Sequence, residues 1–137
     1  MNLRFLSLLL LTALLGCNDG ISTVPVSGKI TKDGAPMPGI GVTLVGVEGT
    51  EAMGLRGVTN ADGGFSVVAA GGLDGAPKGK YKVLLLPPIT PPDYSKVGKE
   101  GPPPADKFPE KYTNIDKVTD IFVVGAGPNV INIDVSK

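Results

Sequence analysis

The chain alternates apolar and polar positions with a period of two through most of its length after residue 23. In Val24-Pro25-Val26-Ser27-Gly28-Lys29-Ile30-Thr31, the residues Val24, Val26 and Ile30 fall on one side, and Ser27, Lys29 and Thr31 on the other. That pattern predicts a half-buried strand, with donor-less Pro25 at its start or edge. Lys32-Asp33-Gly34 reads as a turn, since Asp33 can bond its own backbone and Gly34 tolerates positive φ. Ile40, Val42 and Leu44 form the inward face of a second strand, and Leu55 to Thr59 a third. Asn60-Ala61-Asp62-Gly63-Gly64 is the sharpest turn signal, followed by inward Phe65, Val67 and Ala69. Residues 54–69 are therefore expected to form a β-hairpin.

Lys80 to Leu86 is the most apolar strand. Tyr81, Val83 and Leu85 face one way, Leu84 and Leu86 the other, which predicts a central position in a sheet. Val118 to Val124 and Val130 to Val135 complete the set, joined by Gly125 to Asn129. No helical period of useful length occurs after the leader. Seven short strands at regular spacing predict an all-β fold, a single antiparallel Ig-like sandwich spanning residues 24–137.

Two stretches break the alternation. Residues 87–109 carry eight of the thirteen prolines. Such backbone is extended without a sheet ladder, so this is a long loop. Pro88 and Pro91 have P-x-x-P spacing, with Tyr94, Phe108 and Tyr112 nearby. These five residues are the candidate partner-binding set, because a pre-extended loop loses little entropy on docking. The competing expectation is a loop that crosses one end of the sandwich with its aromatics packed beneath.

The other break is at the start. Arg4 precedes an apolar run from Phe5 to Leu15, interrupted only by Ser7 and Thr12. The run is well short of the roughly 20 apolar residues that span a bilayer. It has the plan of a secretory signal. Leu14, Leu15, Gly16 and Cys17 resemble a bacterial lipobox. The resemblance implies diacylglyceryl transfer to the Cys17 thiol, cleavage of residues 1–16, and acylation of the new amine. Residues 17–23 then form the lipidated cysteine and its tether. Several acyl chains hold a bilayer firmly, since each buried methylene contributes about 0.8 kcal/mol. Asn18 follows the cysteine where Asp favours inner-membrane retention, which leans toward the outer membrane. The expected location is the cell envelope, facing the periplasm or the exterior.

Composition narrows the chemistry. Cys17 is the only cysteine, and histidine and tryptophan are absent. A lipidated Cys17 leaves no thiol for a disulfide, so packing alone must stabilise the domain. Lack of imidazole removes Ser-His-Asp and Cys-His catalysis and histidine-ligated zinc. Past Arg4, 12 basic residues face 13 acidic ones. That balance gives no electrostatic basis for binding nucleic acid. Asn60 and Asp62 suggest a calcium loop, but it lacks the further oxygens that such a site needs. Glu48 and Glu51 sit in a glycine-bearing loop with no companion feature, and read as solvated. No cofactor is expected.

The strand and turn motifs resemble a family. Val26 to Thr31, Asp33-Gly34, Pro38-Gly39 and Val42-Thr43-Leu44 look like the opening of a carboxypeptidase regulatory-like domain. Thr59 to Phe65 resembles its T-x-x-D-G-x-F turn, and Gly79 to Val83 its G-x-Y-x-V strand. The likeness is good over residues 24–86 and looser beyond. It implies a transthyretin-like sandwich in a small bacterial lipoprotein, with Tyr81 as a core tyrosine bonding backbone. Within the wider group, hydroxyisourate hydrolase activity depends on histidines, so it is not expected here. The functional expectation is a non-catalytic envelope lipoprotein that binds another envelope protein or serves a structural role. The alternative is a carbohydrate-binding module, for which seven aromatic residues and no tryptophan make a sparse complement.

Overall fold

The computed structural model describes residues 20–50, 54–88 and 108–136. In chain order its strands are β1 (Thr23–Val24), β2 (Val26–Lys32), β3 (Ala35–Pro36), β4 (Gly41–Val47), β5 (Leu55–Val58) and β6 (Gly64–Ser66). There follow β7 (Val68–Ala69), β8 (Leu73–Asp74), β9 (Ala76–Pro77), β10 (Gly79–Leu86), β11 (Ile121–Val124) and β12 (Asn129–Asp134). A single helical turn, α1 (Glu110–Thr113), lies between β10 and β11.

The fold is an all-β sandwich. One sheet has the order β11-β10-β4-β5-β7-β8. The facing sheet places β12 on one side of β2, with β3 and β6 on the other. β1 and β9 form a short separate ribbon. All seven predicted strands are present, and the expected central strand, β10, lies between β4 and β11. Its second face is more open than that expectation implied: Leu84 is half-buried and Leu86 is 53% exposed.

Two features depart from the sequence reading. Residues 54–69 are not a simple hairpin. β5 pairs with β4 in the larger sheet, whereas β6 pairs with β2 in the smaller one. The chain then switches back at Val67, so that β7 rejoins β5. The turn at Asn60 thus carries the chain between sheets. It is fixed by a long-range bond, Ile30 N–H to the Gly63 carbonyl at 2.9 Å. The second departure is one parallel pair, β2 with β12, running from Val26 opposite Asn129 to Thr31 opposite Asp134.

The core follows the predicted parity. Val26 and Ile30, Val42 and Leu44, and Tyr81 and Leu85 are each at most 2% exposed. Full burial of each aliphatic side chain contributes about 1.5–3 kcal/mol relative to exposure. Buried Thr59 ties the margin of this core together. Its Oγ1 accepts the Ile40 amide at 2.8 Å and donates to the Met37 carbonyl at 2.6 Å. The Tyr81 hydroxyl donates to the Pro77 carbonyl at 2.7 Å, so this tyrosine bonds backbone as expected.

Candidate functional site

The predicted site residues fall into two groups. Leu14, Leu15, Gly16, Cys17, Pro91 and Tyr94 lie outside the described residues. Pro88 is exposed, two residues past the end of β10. Phe108 and Tyr112 are half-buried and pack against the core. The Tyr112 hydroxyl also donates to the main-chain oxygen of Asp134, at 3.2 Å.

Of the acidic candidates, Glu51 lies outside the described residues, and Asp62 and Glu48 act as a turn residue and an ion-pair partner. Asn60 Oδ1 accepts the amides of Asp62 and Gly64, both at 3.0 Å. This local arrangement shapes the turn without gathering carboxylates. Glu48 pairs with Lys80. Among the described residues, no group of three or more acidic or sulfur side chains is placed to hold a metal ion.

A different set of residues converges on the outer face of the smaller sheet. Side chains alternate along β2, so Ser27 and Lys29 point outward while Val26 and Ile30 enter the core. The strand register aligns Val130, Ser27 and Ser66 in one row across the sheet. The next row is Asn132, Lys29 and Gly64. Val58 and Asn60 close the far side. Together they line an open depression of about 430 Å³.

Gly64 leaves room in the floor of the depression. It supplies no side chain in a row otherwise filled by Asn132 and Lys29. A Cβ there would meet the Asn60 amide at 3.5 Å, an ordinary contact. Among the described residues, the side chains of Ser27, Lys29, Ser66 and Asn132 have no hydrogen-bond partner. The lining therefore offers hydroxyls, carboxamides and one ammonium, with no carboxylate. Exposed Val58 (67%) and Val130 (58%) provide aliphatic surface at either end. Sequence parity marks Ser27 and Lys29 only as outward and polar. Their meeting with Ser66 and Asn132 depends on pairings that local pattern does not encode.

A second opening lies between the sheets, at the edges formed by β11 and β12. It has a volume of about 290 Å³. Val83, Phe122, Ile131 and Ile133 supply apolar surface, and Lys111 and Asp120 stand at its margin. The amides of Asn129 and Val135 bond toward β2, at Pro25 and Thr31. In a parallel ladder the intervening residues direct their backbone groups the other way. Tyr112 occupies one of those outward carbonyls, that of Asp134.

No family model, curated protein or solved structure matches the chain. Among the described residues, no helix is long and apolar enough to cross a membrane.

Proposed function

We propose that the chain is a non-catalytic binding module held on a membrane of the cell envelope by a lipid on Cys17. The observation that carries this reading is the position of Cys17. It follows the apolar run after one small residue, Gly16, and stands six residues before Thr23, where the first strand begins. Six extended residues reach about 20 Å, so a lipid there keeps the sandwich close to the bilayer surface. The likeness of the strand motifs to carboxypeptidase regulatory-like lipoproteins supports the same assignment. So does the absence of histidine, which leaves no imidazole base to activate a serine or threonine.

The polar depression on the smaller sheet is the surface through which this module binds. Its groups are hydrogen-bond donors and acceptors without a nucleophile and base in contact, which suits recognition rather than reaction. Metabolic labelling with an alkyne fatty acid tests the anchor. The wild-type protein takes up label and fractionates with membranes, and Cys17→Ser does neither. Equal labelling of both would remove the assignment.

A further inference from the structure

We infer that the depression between Val130 and Val58 binds a saccharide carrying a carboxylate, with Lys29 as the group that receives the charge. The inference rests on the reading of the chain as a binding module, and does not depend on the anchor.

The chemistry of the lining selects the ligand class. Ser27 and Ser66 each bring a hydroxyl that both donates and accepts. The Asn132 carboxamide does both as well, through separate atoms. Asn60 Oδ1 is already engaged by two amides, which turns its remaining hydrogen-bonding capacity toward donation. Sugar hydroxyls are matched by such groups, because each needs a donor and an acceptor nearby. The C–H faces of a sugar ring need apolar surface, and Val58 and Val130 provide it at the two ends.

Other ligand classes fit less well. A phosphate group calls for several cations or a cluster of amides, and among the described residues the lining holds one cation, Lys29. An apolar ligand would bury hydroxyls and carboxamides without partners. An extended peptide is best met at a strand edge, whereas this is the face of paired strands. One ammonium and no carboxylate in the lining match a single negative charge on the ligand, as in a uronic acid unit.

The test uses the full chain purified in detergent, titrated with trigalacturonate, with neutral maltotriose and with inorganic phosphate. Trigalacturonate is expected to bind and to outcompete maltotriose. Lys29→Met should weaken it about tenfold, the scale of one hydrogen bond to a charged group. Gly64→Val fills the depression from a position outside the left-handed region and should abolish binding, with the melting temperature recording that the fold persists. Ser66→Ala, at an exposed position, gives an independent partial loss. The inference is overturned if folded protein binds neither saccharide, if phosphate binds more tightly than trigalacturonate, or if Gly64→Val and Ser66→Ala both leave binding unchanged. Equal affinity for the two saccharides would overturn the role of Lys29. The mass of Cys17 in the same preparation reports the anchor separately.

Discussion

The carboxylate of Asp134 accepts the main-chain amide of Gly34 at 3.2 Å, across 100 positions of sequence. It also accepts the Asp33 amide at 3.2 Å. The last strand thereby clamps the turn that follows β2. Asp134 is further bonded by the hydroxyl and the amide of Ser136. The Ser136 hydroxyl is the largest of the influences that hold the Asp134 carboxyl below its ordinary range, at about 2. A depressed carboxylate stabilises the fold above the unfolded-state pKa, near 4. That contribution is lost as pH falls through about 2. Thermal unfolding followed from pH 7 to pH 2 should show it. Asp134→Asn should melt lower than wild type at pH 7, and the two curves should converge at the acid end.

Thr59 makes a comparable test in the core margin. Replacement by valine keeps the volume but removes both bonds of Oγ1, leaving the Ile40 amide without its acceptor. The expected cost is about 1–3 kcal/mol by urea unfolding. Thr59→Ser, which keeps the hydroxyl, should lose appreciably less.

Gly28 sits beside Ile131 of β12, where β2 has no room for a side chain. A Cβ there would stand 1.8 Å from the Ile131 carbonyl oxygen and 2.8 Å from a Phe65 ring carbon. Backbone cannot yield as a flexible side chain does, so Gly28→Ala should cost about 3 kcal/mol or prevent folding. The adjacent change, Ser27→Ala, is outward and should stay within about 0.5 kcal/mol of wild type. Chemical denaturation of the two variants decides between a local clash and a general sensitivity of the strand.

Tyr81 couples burial to alkaline stability. Its ring is fully buried, and desolvation raises the phenol pKa above the ordinary value. A raised folded-state pKa gives stability that is present below the unfolded value, near 10, and is lost as pH rises through the folded one. Tyrosinate absorbance in a pH titration should therefore show one titration delayed and coincident with loss of structure. Tyr81→Phe should remove that step, and at neutral pH should cost about 1 kcal/mol for the lost bond to Pro77.

The strands were legible where one face is buried and the other wet. Val26 and Ile30 against Ser27 and Lys29 is such a case, whereas β10 was legible as an apolar run with Tyr81, Val83 and Leu85 on its buried face. The path between strands was not. The turn from Asn60 to Gly64 has the same local chemistry whether the next strand returns beside β5 or crosses to β2. The decision lies with distant groups, among them the Ile30 amide bonded to Gly63 and the closeness of Gly57 to the Ser66 carbonyl. The parallel pairing of β12 with β2 is likewise a contact between opposite ends of the chain. That pairing creates the candidate depression, so Ser27 and Lys29 could be named as outward but not as neighbours of Val130 and Asn132. The four-residue α1 is too short to show a helical period.

The most direct measurement is the intact mass of the mature protein extracted from membranes, with sequencing of its first residue. The account predicts a chain that begins at Cys17 and carries diacylglyceryl and acyl groups. A chain that retains residues 1–16, or one cut elsewhere with Cys17 as an unmodified thiol, would contradict it.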